Sequence, residues 1–269
     1  MTVLSCFSFF PRPSAVLRLC LALLWLVAAA GCALLPDEID PTKDWSANKL
    51  YSEAKSALDD GSYEQAIKYY EKLDARYPFG RYAQQAEIEI AYAYYKSDES
   101  TLAIAALDRF IKLYPRHPNL DYVYYLRGLI NFNQGMSIVD RYLPTDRSQR
   151  DPGAARQSFQ DFGEVVRRFP DSKYAADARQ RMVYLRNNLA QYEVHVARYY
   201  LRQGAYLAVA NRGKYVVEHY QQTPAVPDAL DLMVQAYQIM GMNDLAESTL
   251  RVLRTSYPNH SAVKTTKIQ

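Results

Sequence analysis

The phrase Gly61-Ser62-Tyr63-Glu64-Gln65-Ala66-Ile67, closed by Tyr77-Pro78, recurs four more times along this 269-residue chain. Its most regular feature is a small residue placed twelve positions before a proline. That spacing holds at Ala66 and Pro78, Ala103 and Pro115, Ser158 and Pro170, and Ala246 and Pro258. The remaining copy starts at Gly204 and reaches Tyr220 with Gln221 in place of the proline. A phrase that recurs along a chain in this way is typical of stacked helical hairpins.

Each residue type in the phrase has a physical role in a helical hairpin. Glycine permits the tight turn between two helices, the small residue lets those helices approach closely, and proline stops the second helix. These are landmarks of the tetratricopeptide (TPR) repeat. We therefore predict an all-α fold of five TPR helix-turn-helix repeats that form an α-solenoid, or superhelix, with a concave face.

The intervals between repeats predict two irregularities. Pro78 to Pro115 spans 37 residues, close to the roughly 34 of a standard repeat. Pro115 to Pro170 spans 55, which indicates an insertion, and Pro170 to Gln221 spans 51, which indicates a long first helix. The 3.6-residue period predicts helices near Lys49–Asp59, Tyr63–Arg76, Tyr82–Lys96, Thr101–Leu113, Leu120–Asn133, Gly153–Arg168, Tyr174–Arg202, Tyr206–Tyr220, Pro227–Met240 and Asp244–Ser256.

The N-terminus resembles a lipoprotein signal peptide. Two arginines precede an uncharged core, Leu19 to Ala30, which is too short to span a bilayer comfortably. Ala29-Ala30-Gly31-Cys32 then resembles the bacterial lipobox. We expect residues 1–31 to be removed and Cys32 to carry the lipid. The alternative is an ordinary signal peptide cut nearby, with Cys32 incidental.

Residues 32–46 are expected to be a lipid-attached tether, because they are polar and rich in proline. Ala33 follows the lipidated cysteine where an aspartate would resemble an inner-membrane retention signal. We therefore expect an outer-membrane location, facing the periplasm. The other cysteines, Cys6 and Cys20, lie in the removed segment, so no disulfide is expected.

Composition argues against several classes of function. The net charge of +3 provides no basic field for nucleic acid. The four histidines are scattered and form no zinc motif, and the ten glycines build no phosphate loop. We therefore expect no catalytic residues, no metal and no cofactor. An enzyme would need a further catalytic domain, for which the chain has no room.

The mature chain divides at its insertion. Residues 47–135 hold repeats 1–2 and the following helix, 136–151 form an inserted charged loop, 152–258 hold repeats 3–5, and 259–269 form a flexible tail. The loop is dense in opposite charges, among them Asp146, Arg147, Arg150 and Asp151. Such a loop is either a self-paired salt-bridge network or a contact surface for a partner.

Tyrosine is the compositional outlier, with 24 residues, all after Cys32. At helical spacing, Tyr92 and Tyr95 share one face of a helix, whereas Tyr94 points elsewhere. One face should pack between helices, and the other could line a groove with Arg81 and Arg127 nearby. Such a groove would suit an extended or aromatic-ended peptide. The alternative is that most of these rings are core.

Several phrases go beyond a generic TPR repeat and resemble the BamD family of outer-membrane assembly lipoproteins. The likeness covers essentially the whole mature chain. It is carried by Tyr77-Pro78-Phe79-Gly80-Arg81-Tyr82-Ala83-Gln84-Gln85, Ala91-Tyr92-Ala93-Tyr94-Tyr95-Lys96, Asp108-Arg109-Phe110-Ile111, His117-Pro118-Asn119-Leu120-Asp121-Tyr122-Val123, Asp146-Arg147-Ser148-Gln149-Arg150-Asp151 and Ala208-Val209-Ala210-Asn211-Arg212.

The resemblance implies a non-enzymatic subunit of the β-barrel assembly machinery. Its C-terminal repeats would dock the POTRA region of a BamA-like barrel subunit, with Arg212 and Asn211 in the contact. Its N-terminal repeats would bind the C-terminal segments of unfolded outer-membrane proteins, with Tyr77 in that half. A BamC-like lipoprotein is implied as a partner in some members.

Two departures from the family pattern concern repeat ends and contacts. Gln221 replaces the usual proline, which puts the tightness of that repeat's end in doubt. Lys112 stands where an arginine can occur, which weakens any bidentate contact there.

The alternative function is a pilotin-like TPR lipoprotein for secretin or pilus assembly, which would lack the Asp-Arg-Ser insertion and the Tyr-Pro-Phe-Gly phrase.

Overall fold

The computed structural model describes residues 40–134 and 147–265 and divides the chain into two units, 1–45 and 46–269. Of the first unit, only residues 40–45 are described. They form a turn in which the Thr42 backbone amide and hydroxyl both donate to Asp40 Oδ1, at 3.0 and 2.7 Å. Cys32 and the signal segment lie outside the described residues, so the expectations about them stay predictions.

The second unit contains eleven α-helices within its described residues. Their bounds are α1 Ala47–Asp59, α2 Tyr63–Arg76, α3 Arg81–Lys96, α4 Ser100–Leu113, α5 Leu120–Asn133, α6 Gly153–Arg168, α7 Ala175–Arg202, α8 Tyr206–His219, α9 Val226–Ile239, α10 Asn243–Ser256 and α11 Ser261–Thr265, with a 3-10 turn at Arg147–Gln149. The prediction of ten helices is confirmed to within two residues at every end.

The first ten helices form five pairs, and each helix packs mainly on its neighbours in sequence. This is the arrangement of a TPR α-solenoid, in which each repeat buries its apolar face against the next one. The prediction of an all-α solenoid is therefore confirmed for the described residues. The long first helix predicted after Pro170 is also confirmed, since α7 has 28 residues.

The landmark residues occupy the positions that their chemistry predicts. Gly61, Gly204 and Gly241 turn between paired helices with φ of +79°, +74° and +71°, and Asp98 holds the corresponding place with φ of +67°. The small residues Ala66, Ala103, Ser158 and Ala246 are all fully buried. Close contact between paired helices therefore depends on them.

An aromatic residue ends the second helix of every pair. Its backbone N–H donates to the carbonyl four residues earlier, at 2.8 to 2.9 Å, which closes the last helical turn. These residues are Tyr77, Tyr114, Phe169, Tyr220 and Tyr257. Gln221 does not loosen this end, because Tyr220 caps α8 as the others cap theirs.

Two apolar clusters form the core, and α7 contributes to both. Ala178 and Leu185 belong to the cluster built by the preceding helices, whereas Ala190, Val194 and Ala197 belong to the cluster of the C-terminal helices. One continuous helix therefore joins the two parts of the core. In the described part of the chain, no helix is long and apolar enough to cross a membrane.

The prediction of a flexible tail at 259–269 is wrong for its middle. Residues 261–265 form α11, and Ala262 is 6% exposed within the C-terminal cluster. His260 Nε2 also lies 3.4 Å from Asp228 Oδ1 on α9. A short stretch without helical periodicity is thus ordered by tertiary contact. Residues 266–269 lie outside the described part.

Candidate functional site

Six tyrosines lie on the first helices of the first three pairs and a seventh, Tyr174, lies immediately before α7. We call these seven residues the tyrosine array. The ring centroids of Tyr51 and Tyr82 lie 5.4 Å apart, and those of Tyr125 and Tyr174 are stacked at 4.7 Å. The members are Tyr51, Tyr82, Tyr92, Tyr95, Tyr122, Tyr125 and Tyr174. All seven rings are partly buried, and five of them pack against the core cluster of the preceding helices, so the array exposes only part of each ring.

Polar side chains fix the Tyr125 ring of the array. Tyr125 donates its hydroxyl proton to Asp177 Oδ2 at 2.7 Å, and Arg181 Nε donates to the same oxygen at 2.5 Å. Burial, together with the Asp177 carboxylate, raises the pKa of Tyr125 to about 12. Burial also raises the pKa of Tyr122. Both hydroxyls therefore stay protonated at neutral pH, which suits binding rather than proton abstraction.

Tyr94 points away from the array, as the helical spacing predicts. Tyr92 and Tyr95 share a face, with ring centroids 6.5 Å apart, whereas the Tyr94 hydroxyl donates to Glu71 Oε1 at 2.9 Å. Tyr94 lines a cavity of about 290 Å³ formed by α2, α3 and α4. We call it the acidic cavity, because its lining includes Glu71, Asp74 and Glu87.

Arg127 lies in an internal ion-pair network and does not line the acidic cavity. Its side chain is 16% exposed, and its Nε and Nη2 donate to Asp161 Oδ1 at 3.0 and 2.7 Å. Arg127 also pairs with Asp108, and Asp161 accepts from Asn131 and Gln157. Asp161 is 1% exposed. The structure thus gives Arg127 a packing role among α4, α5 and α6.

The turn between α2 and α3 presents two aromatic rings. Tyr77 is 38% exposed, and its backbone caps α2, while Phe79 is 93% exposed. Gly80 follows with φ of +120°, which favours glycine, and Arg81 begins α3. The side chain of Arg81 is outside the described part of the chain. Phe79 was missed by sequence reasoning, although the flanking Pro and Gly already marked a turn.

Arg212 joins a buried carboxylate on the neighbouring helix. Its Nη1 donates to Glu193 Oε2 at 2.8 Å, and Arg156 Nη2 donates to Glu193 Oε1 at 3.3 Å. Glu193 is 1% exposed, whereas 41% of the Arg212 side chain is exposed. Asn211, beside it, is exposed. Glu193 carried no sequence signal, because a charged residue within a helix usually faces solvent.

The inserted loop is described only at its C-terminal end. Arg150 and Asp151 are exposed there, and Asp151 Oδ1 accepts from the Gly153 backbone at 3.3 Å. Asp146 and the side chain of Arg147 lie outside the described residues. Buried Ser148 forms a hydrogen bond with His195 Nε2 at 2.9 Å, which holds the 3-10 turn against α7.

The described side chains form no cluster suited to metal binding. No three His, Cys, Asp or Glu residues within 40–134 and 147–265 could hold an ion together. Prominent features of the described residues are partly exposed aromatic rings, the acidic cavity and Arg212, whose side chain is 41% exposed.

The chain is similar to known outer-membrane proteins. A family model described as YfiO, outer membrane lipoprotein, matches residues 43–253. A relative from Neisseria gonorrhoeae, named outer membrane protein assembly factor BamD, is 48% identical over 87% of this chain and 88% of its own. A relative of the same name from Vibrio cholerae is 38% identical over 86% of this chain and 95% of its own.

One solved structure of TPR-like repeats is only weakly similar to this chain. The TPR-like repeats of a putative kinesin light chain from Podosopora anserina cover 77% of this chain and 92% of their own, at 12% identity. The TM-score is 0.41, which is too low to bear on fold or function.

Proposed function

The chain belongs to the YfiO family of outer membrane lipoproteins, whose curated relatives are named assembly factor BamD, and we propose that it is a non-enzymatic subunit of the β-barrel assembly complex. In this role it helps fold and insert outer-membrane β-barrel proteins. The observation that carries the proposal is 48% identity to a named assembly factor over 87% of the chain.

The proposed location is the periplasmic face of the outer membrane, through lipid on Cys32. The lipobox-like sequence before Cys32 supports the anchor, as does membership of the YfiO family of outer membrane lipoproteins. A single acyl chain binds a membrane only marginally, so firm anchoring requires two or more chains on the terminal residue.

The C-terminal repeats are proposed to dock a BamA-like barrel subunit through its POTRA region. Arg212 suits this role, because Glu193 fixes the guanidinium while the side chain remains partly exposed. An arginine held in this way loses little conformational entropy when a partner carboxylate approaches. Exposed Asn211 would add a hydrogen-bonding side chain to the same contact.

The N-terminal repeats are proposed to bind the C-terminal segments of unfolded outer-membrane proteins. The tyrosine array and the exposed rings of Tyr77 and Phe79 support this assignment, since aromatic side chains bind extended, aromatic-ended peptides. Arg127 contributes to this half through packing, because its guanidinium is already paired internally. A BamC-like lipoprotein is a further proposed partner.

Co-purification from detergent-solubilised outer membrane tests the proposed function. We expect the tagged chain to bring along a barrel subunit with POTRA domains, identified by mass spectrometry. A tagged unrelated outer-membrane lipoprotein serves as the control. Recovery of secretin subunits in place of the barrel subunit would support the pilotin-like alternative and overturn the proposal.

A further inference from the structure

The acidic cavity carries more negative charge than its own cations balance. Three carboxylates line it, Glu71, Asp74 and Glu87, and Arg109 is the one cation among its lining residues. Arg109 Nη2 lies 3.5 Å from Asp74 Oδ2 and 3.7 Å from Glu87 Oε1. One guanidinium is thus shared loosely between two carboxylates.

Glu87 is buried with one oxygen unsatisfied. The residue is 9% exposed, and its Oε2 has no hydrogen-bond partner within the described residues. Buried polar atoms in native proteins nearly always have a partner, so the unpaired oxygen makes Glu87, which lines the cavity, a candidate contact for a ligand. Charge at such a site is costly unless a cation balances it.

The fourth helix pair has a glutamate at the position equivalent to Glu87, and both oxygens of that glutamate have arginine partners. Glu87 precedes Asp98, and Glu193 precedes Gly204, by the same eleven positions, and Asp98 and Gly204 are the positive-φ turn residues of their pairs. Glu193 accepts from two arginines, one on each oxygen. Glu87 has a single arginine at a longer distance. Within the described residues, the Glu87 carboxylate is therefore less fully paired than that of Glu193.

We infer that the acidic cavity binds one lysine or arginine side chain of an extended polypeptide, whose charged end pairs with Glu87. Glu71 and Asp74 widen the negative field at its mouth, while Ala86, Ile90 and Ala106 provide apolar wall. Such a wall suits the methylene stem of a long basic side chain. This inference rests on the proposed binding of unfolded polypeptide by the N-terminal repeats and names a side chain that it recognises.

The same charge distribution argues against a terminal carboxylate in this cavity. A carboxylate placed beside Glu71, Asp74 and Glu87 would be repelled, and Arg109 is already engaged by two of them. The aromatic end of a bound segment would therefore lie elsewhere, and the acidic cavity would bind the side chain of a basic residue within the segment.

Peptide binding to the full-length chain in detergent tests the inference. The probes are two fluorescein-labelled glycine-serine peptides that end in phenylalanine and differ at one central position, lysine in one and norleucine in the other. We expect the lysine peptide to bind roughly tenfold more tightly by fluorescence anisotropy, and Glu87→Gln to remove that difference. Glu247→Gln, an exposed glutamate on α10, is the control that keeps it.

Each outcome bears on a defined claim. Equal binding of both peptides to the wild-type chain overturns the inference and leaves polypeptide binding in place. A lysine preference that survives in Glu87→Gln assigns it to another site and also overturns the inference. Binding of neither peptide overturns polypeptide binding itself, and the cavity assignment with it. Circular dichroism of Glu87→Gln establishes that the variant is folded. Asp74→Asn provides a second variant, for which we expect a smaller loss of the lysine preference, because Asp74 adds to the negative field but does not pair with the bound side chain.

Discussion

Arg212 and Glu193 form an ion pair that is buried at one end and exposed at the other. Nη1 of Arg212 on α8 donates to Oε2 of Glu193 on α7 at 2.8 Å, and Glu193 is 1% exposed against 41% for the Arg212 side chain. A partner carboxylate that contacts Arg212, as proposed, would share its guanidinium with Glu193. Loss of the Arg212 side chain would therefore affect both the proposed docking and the packing of α7 against α8.

Truncation of Arg212 should lower stability as well as docking. We expect Arg212→Ala to reduce the free energy of unfolding by about 1–3 kcal/mol, because among the described residues Glu193 then keeps a single arginine partner, Arg156. Urea unfolding measures the loss. Lys214→Ala, whose side chain is 62% exposed, is the control, with an expected change within about 0.5 kcal/mol. Equal effects would contradict the structural role of Arg212.

Charge reversal at Arg212 is a poorer probe of docking. Arg212→Glu would place a second carboxylate beside buried Glu193, so weakened co-purification of the barrel subunit could follow from local unfolding. The comparison of Arg212→Ala with Asn211→Ala separates the two effects. Asn211 is exposed, so its loss should weaken docking without lowering stability.

Of the two carboxylates that pair with Arg127, buried Asp161 should be far more important for stability than exposed Asp108. We expect Asp161→Ala to cost about 3–5 kcal/mol, since it leaves Arg127 buried without its main partner. Asp108→Ala, at a side chain that is 54% exposed, should cost less than about 1 kcal/mol. Thermal and urea unfolding of the two variants test this order, and the reverse order would show that Arg127 depends mainly on Asp108.

Replacement by alanine at two helical glycines should change the stability of the protein in opposite directions. A Cβ at Gly213 would lie 2.4 Å from Met233 Cγ and 2.9 Å from the Ala229 carbonyl, so Gly213→Ala should cost about 1–3 kcal/mol. A Cβ at Gly163 would meet only Met182 Cε at 3.7 Å. Gly163→Ala should therefore stabilise the protein by up to about 1 kcal/mol through helix propensity. Similar melting temperatures for the two variants would contradict the close approach of α8 and α9.

Glu87, which lines the acidic cavity, should make the stability of the free protein depend on pH. Burial raises the pKa of Glu87, and Arg109 offsets only part of that effect. Between the usual glutamate pKa and the raised one, the folded state holds more protons than the unfolded state, so this group lowers stability as pH rises.

Glu87→Gln should remove that pH dependence. We expect the variant to be more stable than the wild type by up to about 1 kcal/mol at pH 7, with the difference shrinking at pH 4. Urea unfolding at both pH values measures it. A difference that does not change with pH would show that Glu87 is not a source of buried negative charge.

The lipid anchor is open to a direct test. We expect Cys32→Ser to release the protein from the outer-membrane fraction, because no thiol then remains at the predicted start of the mature chain. Membrane fractionation with immunoblotting measures the distribution, and mass spectrometry of the N-terminal peptide reports the acyl chains. Retention of Cys32→Ser with the outer membrane would contradict the anchor.

Helix boundaries were largely predictable because their signals are local. A positive-φ residue such as Gly61, a small residue such as Ala66 and an aromatic-proline pair such as Tyr77-Pro78 all act within one hairpin. Residues 261–265 escaped prediction for the opposite reason. Their helix is held by contacts of Ala262 with the C-terminal cluster, which no five-residue pattern reveals.

The sequence by itself determined the five helix pairs, the long first helix of the fourth pair and the family. Only the tertiary structure decided which charges are buried and what they pair with. Glu193 and Arg212 lie 19 residues apart, and Arg127 and Asp161 lie 34 apart. The local sequence around a charged helical residue is the same whether its side chain faces solvent or a neighbouring helix. Its partner and its pKa are therefore fixed only when the helices pack.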